Sequence, residues 1–169
     1  MKWIGISGSW RATSAEVEQD VRAAVRDIMA RGDGIVSGGA LNVDYFATDE
    51  ALKLNPDASH IKIFLPVTFE RYAAHYRKRA QEGVITTDQA ETLIAQLTQV
   101  KTANPEALIE NQVNTECNPT TYFERNTEVV NASDELYAFI VNGSGGTQDT
   151  IDKAASQAKP VQIKSYEIA

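Results

Sequence analysis

The chain holds one cysteine, Cys117, and two histidines, His60 and His75. A lone cysteine cannot close an internal disulfide, so the fold is not a disulfide scaffold, and a reducing compartment is its natural home. The same scarcity excludes a zinc ribbon, because so few scattered Cys and His side chains cannot complete a set of nitrogen and sulfur ligands. No metal site is expected. No run approaches the roughly 18 apolar residues that mark a membrane-spanning helix. Basic residues are also scarce: 16 Lys and Arg stand against 23 Asp and Glu, a net charge of −7. A protein whose main task is to grip nucleic acid usually shows the opposite balance, so nucleic acid is not the expected partner. Gly5, Gly8 and Arg11 interrupt the N-terminal segment before a signal-peptide core can form, and the cytoplasm is the expected location.

What is present is an ordinary globular composition over 169 residues, 43% of them hydrophobic. That length suits one domain, expected over residues 1–169. Short β-rich runs at 2–7, 34–37, 61–65, 136–141 and 161–165 alternate with helical periodicities. The first helix starts near Thr13, where Thr13 and Glu16 have capping-box spacing, and turns Val17, Val21, Val25 and Ile28 to one side. A second runs from about Leu41 to Leu54 with Val43, Phe46, Ala47, Ala51 and Leu54 inward. Asn118-Pro119 and Gly145-Gly146-Thr147 open two more. The alternation predicts an α/β Rossmann-like fold: an open, mostly parallel five-stranded sheet with helices on both faces. Residues 67–118 break the pattern. Two helical stretches there, the second opened by the capping box Thr86–Gln89, read as a helical insertion.

Three turns fall where a strand ends and a helix begins: Ser7-Gly8-Ser9, Ser37-Gly38-Gly39 and Gly143-Ser144-Gly145-Gly146-Thr147. In an open parallel sheet, ligands bind beyond the carboxyl ends of the strands. Glycine lets backbone approach a ligand closely, and the helix that follows points free amides and partial positive charge at it. A phosphate suits such a site. None of the turns carries the Gly-Lys-Ser/Thr of a P-loop, nor a Gly-x-Gly-x-x-Gly with an acidic residue in the right place, so neither a P-loop NTPase nor an ordinary NAD enzyme is expected, and no resident cofactor.

These stretches resemble the SLOG superfamily of Rossmann-like nucleotide-binding proteins. Val36-Ser37-Gly38-Gly39-Ala40-Leu41-Asn42-Val43-Asp44 is similar to the Ser-Gly-Gly-Ala-x-Gly-x-Asp stretch of the DNA-processing protein A branch. Glu124-Arg125-Asn126, Ser133-Asp134 and Gly143-Ser144-Gly145-Gly146-Thr147 resemble the Glu-Arg-Lys, Ser-Asp and Pro-Gly-Gly-x-Gly-Thr-x-x-Glu of the cytokinin-activating phosphoribohydrolases, the Lonely Guy branch. The opening Gly8-Ser9-Trp10-Arg11 is similar to the superfamily's first phosphate loop. Residues 67–118 lie outside the resemblance.

The resemblance implies a nucleotide or other phosphorylated small molecule as partner, and a homodimer. It places a catalytic arginine at Arg125. The catalytic glutamate of the phosphoribohydrolases falls on Thr150, leaving Asp149 or Glu128 as candidate carboxylates for an N-glycosidase that splits a nucleoside monophosphate. Binding without turnover is the leading expectation, hydrolysis the alternative, and single-stranded DNA binding a third reading. Arg125 could hold a phosphate bidentately or pair with Glu128. Asn126 could meet ligand or backbone. Asp44 could take a ribose hydroxyl or sit in a helix's first turn. Trp10 could stack on a base or pack inward, and Arg11 could reach a phosphate. The run Arg71, Arg77, Lys78 and Arg79 could face a polyanion or simply solvent.

Overall fold

The apolar runs pair side by side, and the amphipathic helices cover them. In the computed structural model, which describes residues 1–169, the strands are β1 (Trp3–Gly8), β2 (Gly34–Ser37), β3 (Ile61–Phe64), β4 (Leu108–Ile109), β5 (Glu135–Val141) and β6 (Val161–Tyr166). The helices are α1 (Ala15–Ala30), α2 (Val43–Leu54), α3 (Phe69–Gln81), α4 (Thr87–Ala103), α5 (Pro119–Asn131) and α6 (Gly145–Ser156). The sheet has six strands rather than five, in the order β4-β3-β2-β1-β5-β6, and every pairing is parallel. The added strand is two residues long and follows a 3-10 turn over Pro105–Ala107 inside the expected insertion. Leu108 and Ile109 pair with Ile63 and Phe64, so this stretch extends the sheet as well as flanking it.

Local chemistry sets the helix starts. The capping box Thr86–Gln89 forms in full, and so does a box between Asn118 and Thr121, with Pro119 in the first turn. The box expected at Thr13 does not form. Ser14 takes the extended backbone of an N-cap instead, and its hydroxyl accepts from the Val17 amide at 3.3 Å. Along α1, Val17, Val21, Val25 and Ile28 are buried as their spacing requires. In α2, Val43, Ala47 and Ala51 are buried, whereas Leu54, expected inward, is 51% exposed at the helix end.

Two cores result. The larger joins α1, α2, α3 and α4 to the sheet through residues such as Ile4, Ile6, Ile35 and Ile63. The smaller packs Val130 of α5 and Ile151 and Ala154 of α6 on Leu136, Ala138 and Ile140. Phe139 and Val141 of the same strand belong to the larger core, so successive β5 side chains serve opposite faces. Strand order departs from β1 in both directions, toward β2 on one side and β5 on the other. The crevice beyond that switch is where such sheets hold ligands. The seam is fastened by the Trp3 amide, which donates to Asp134 Oδ2 at 2.8 Å.

Candidate functional site

Beyond the carboxyl ends of β1, β2 and β5 lies a cavity of about 630 Å3. All three glycine-rich turns reach it: Gly8 from the first, Gly38 from the second, Ser144, Gly146 and Thr147 from the third. Trp10, Arg11, Asp44, Arg125 and Asn126 line it too. Ser9, Ser37, Gly39, Gly143 and Gly145 do not line it. Ser9 and Ser37 are buried, and the Ser37 hydroxyl has no hydrogen-bond partner.

Arg125 projects from α5 onto the second turn. Its guanidinium donates to the Gly38 carbonyl and, through Nε, to Asn126 Oδ1 at 3.2 Å. It also lies over the Tyr122 ring, 5.4 Å from the centroid. The turn is shaped for this. A Cβ at Gly38 would stand 2.6 Å from the Arg125 guanidinium carbon, so a larger residue there would have to push the arginine's end out of place. Gly39 takes a φ of +67°, which side chains other than glycine's rarely adopt. No ion pair joins Arg125 to Glu128. Burial opposes the arginine's charge, but Tyr72, Asp44 and the neighbouring tyrosines outweigh it and raise its pKa, so it stays charged. Asp44, 6% exposed, accepts from the Ala40 amide at 3.1 Å and so holds the same turn. Burial raises its pKa, partly opposed by Arg125.

The first turn is tied to the second by a residue that sequence reasoning passed over. Asn42 Nδ2 donates to the Trp10 carbonyl, and Asn42 itself adopts φ 62° and ψ −106°. That is an uncommon backbone for a side-chain-bearing residue, held in place by its surroundings. Trp10 is 40% exposed at the cavity mouth, with the Arg11 guanidinium 5.3 Å from its ring centroid.

The third turn opens α6. The amides of Gly145, Gly146 and Thr147 precede the first intrahelical bond and have no partner within the helix. Ser144, at the N-cap, makes no side-chain cap. Thr147 is 2% exposed, and its Oγ1 has no hydrogen-bond partner. A buried hydroxyl left alone costs about 1–3 kcal/mol.

The candidate carboxylates lie elsewhere. Asp149 Oδ2 accepts from Lys153 Nζ at 2.7 Å and from Asn126 Nδ2 at 3.1 Å, and Asp149 does not line the cavity. Thr150 lines it, but its hydroxyl donates back to the Gly146 carbonyl at 3.1 Å. Glu128 borders a second hollow of about 310 Å3, for which Arg125 is the shared wall. Asn126 thus meets both a carboxylate and, at 3.4 Å, the Gly146 carbonyl.

The far wall comes from the stretch with no recognisable motif. His75, Tyr76 and Arg79 of α3, Val84 and Ile85 of the turn after it, and Cys117 all face the cavity. Burial raises the Cys117 thiol's pKa, which disfavours the thiolate that a nucleophile needs. The basic run of α3 is engaged locally. Arg77 pairs with Glu91 at 2.8 Å, Arg79 with Glu82 at 3.1 Å, and Arg71 donates to the Thr115 carbonyl at 3.2 Å.

A parallel sheet with helices on both faces and a crevice at its switch point defines a Rossmann-like protein. Solved structures share this fold. DNA processing protein A from Helicobacter pylori, described for its single-stranded DNA binding mode, superposes with a TM-score of 0.69 at 21% identity, over 96% of this chain and 64% of its own. The chain therefore spans less than two thirds of that protein's length. The molybdenum cofactor binding protein of the phototrophic bacterium Rippkaea orientalis matches with a TM-score of 0.62 at 17% identity, over 97% of this chain and 76% of its own. The molybdenum cofactor carrier protein of Chlamydomonas reinhardtii matches with a TM-score of 0.57 at 17% identity, over 96% and 75% of the two chains. No protein-family profile and no curated protein matches the sequence. The expectation that nucleic acid is not a partner finds no support among these neighbours, one of which binds single-stranded DNA. No helix is long and apolar enough to cross a membrane.

Proposed function

We propose that the chain binds a phosphorylated small molecule of the nucleotide class in the switch-point cavity and does not turn it over. The observation that carries this is Thr147, a cavity-lining residue at the N-terminus of α6 whose buried hydroxyl has no partner. Beside it, the free amides of the first turn and the helix dipole favour an anion. Arg11 and Arg125 add positive charge on the same lining. A phosphate would satisfy the orphan hydroxyl and the amides together.

The arrangement of carboxylates supports binding over glycosidic cleavage. That chemistry asks for a carboxylate at the reacting carbon. Asp149 is held by Lys153 and Asn126, and Glu128 faces the other hollow. Asp44 does line the cavity, but it is committed to the Ala40 amide.

By their descriptions the neighbours in fold bind single-stranded DNA or a molybdenum cofactor, so an oligonucleotide belongs in the titrations and the molybdenum cofactor among the masses sought. Mass spectrometry of small molecules released on denaturing the purified protein names a co-purifying ligand. Calorimetry then tests inorganic phosphate, nucleoside mono- and diphosphates and a short single-stranded oligonucleotide. Binding of phosphate-bearing compounds, weakened by Thr147→Val, is the expected result. No heat and no thermal shift with any of them overturns the reading. The homodimer implied by resemblance is carried forward as a proposal that sedimentation velocity tests.

A further inference from the structure

The cavity has two halves of different chemistry, built by different parts of the chain. One half is the strand-end turns, with their glycines, arginines and helix N-terminus. The other is an aromatic and aliphatic wall supplied largely by α3, the turn after it and α5: His75, Tyr76, Val84, Ile85, Tyr122 and Phe123. The aromatic members touch one another. His75 stands edge-on to Tyr76 at 5.8 Å and to Tyr122 at 6.4 Å between centroids.

The polar atoms of this wall are largely spoken for. The Tyr122 hydroxyl is 3.1 Å from His75 Nε2, and the Tyr72 hydroxyl reaches Tyr76 at 3.3 Å while donating to the Gly39 carbonyl at 2.8 Å. Burial lowers the His75 pKa, assisted by Arg79, so the imidazole is neutral near pH 7. Burial pushes Tyr76 up to about 12, so its hydroxyl stays protonated. What remains for a ligand is mostly ring surface and methyl groups, since the charge that α3 brings to this wall, Arg79, is paired with Glu82 at 3.1 Å.

The mouth has the same character. Trp10, Val84 and Phe123 are 40%, 37% and 43% exposed, and all three line this one cavity. Large apolar side chains left partly in water around a single opening mark a surface that is covered when the site is filled. The volume of about 630 Å3 also far exceeds what a phosphate alone requires and lies within the range of about 300–1,000 Å3 usual for sites that enclose drug-sized ligands.

We infer that the ligand is a phosphate ester of a flat, apolar aromatic body. The body lodges against Tyr76, Tyr122, Val84 and Ile85, and the turn between α3 and α4 selects for it. The inference rests on the phosphate reading above and adds the chemical class of the rest of the molecule. It also gives the 67–118 stretch a task, as the specificity wall of the site.

The test compares methyl phosphate with 1-naphthyl phosphate by calorimetry, on the wild-type chain and on the double variant Val84→Ser/Ile85→Ser. The aromatic ester is expected to bind at least about tenfold tighter than methyl phosphate, the least that burying an aromatic body should give. The double variant is expected to erase that gain and leave methyl phosphate affinity unchanged, which also reports that the fold survives. A second readout needs no variant. Ring-current shifts of the Val84 and Ile85 methyl NMR signals should follow 1-naphthyl phosphate and not methyl phosphate. Equal affinities for the two esters, a gain that survives the double variant, or unmoved methyl signals overturn the inference while methyl phosphate binding keeps the phosphate reading intact. Failure of both esters to bind removes both.

Discussion

Thr147→Val separates a ligand-binding hydroxyl from a structural one. Threonine and valine have nearly the same shape, so the substitution trades the orphan hydroxyl for a methyl. The unfilled protein then sheds a buried, unpaired polar group, whose burden is about 1–3 kcal/mol, and gains apolar contact. Stability should rise by about 1 kcal/mol, which for a chain of this size moves the melting temperature by about 2–4 °C. Phosphate affinity should move the other way. A hydrogen bond to a charged acceptor contributes about 1.5–3 kcal/mol, so the variant should bind about ten- to a hundredfold more weakly. Thr48→Val is the control. Thr48 is 1% exposed, its Oγ1 is equally unpartnered, and it does not line the cavity. It should stabilise without touching affinity. The assay is a thermal melt with and without phosphate, followed by titration calorimetry. A Thr147→Val variant that melts lower and binds as well as wild type would refute the reasoning, because its hydroxyl must then be bonded within the fold.

Three more outcomes follow from the same geometry. Gly38→Ala drives a Cβ to within 2.6 Å of the Arg125 guanidinium carbon and should destabilise by about 1–3 kcal/mol in denaturant melts; an unchanged midpoint would mean that the arginine moves aside at no cost. Because burial raises the folded-state pKa of Asp44, its contribution to stability is fully present below the ordinary carboxylate value of about 3.9 and is lost as pH rises through the folded value. Asp44→Asn should therefore gain on wild type as pH climbs through that window, and a difference that is flat with pH would show that the carboxyl is not perturbed. Incubation with nucleoside monophosphates should release no free base by chromatography; release of base would return Asp149 and Glu128 to candidacy as catalytic carboxylates.

Much of the fold was legible because burial leaves a mark on sequence. Four strands are apolar runs closed by glycine or proline, a fifth is opened by Pro160, and the helices carry clean stripes and caps such as Thr86 and Asn118. The sixth strand was not legible. Two residues, Leu108 and Ile109, have no periodicity to read, and their pairing with β3 is decided by tertiary contact. The helix start at Ser14 rather than Thr13 shows a similar limit, since both are good caps and only the backbone path selects one. For the site, the glycine turns stood out because close approach demands glycine. The wall of His75, Tyr76, Val84 and Ile85 did not, because aromatic and aliphatic residues in a helix and the turn after it read as ordinary packing. Asp149 and Lys153 do carry the i, i+4 spacing of a helical ion pair, a signal that the reading of Asp149 as a catalytic carboxylate passed over.

The seam between β1 and β5 has a consequence for how the molecule is made. Trp3 and Asp134, bonded across it, are 131 residues apart in the chain. Closing so long a loop is slow compared with pairing β1, β2 and β3, which follow one another in sequence and lie side by side. During synthesis the first three strands can assemble while the rest is still being translated, but the β1–β5 edge has no partner until Glu135 emerges, and α6 comes later still. The crevice is thus complete only once β5 and α6 have emerged, with the edge strand β6 alone still to come. A nascent chain carries the glycines of its first two turns for most of its time on the ribosome with nothing yet able to occupy them.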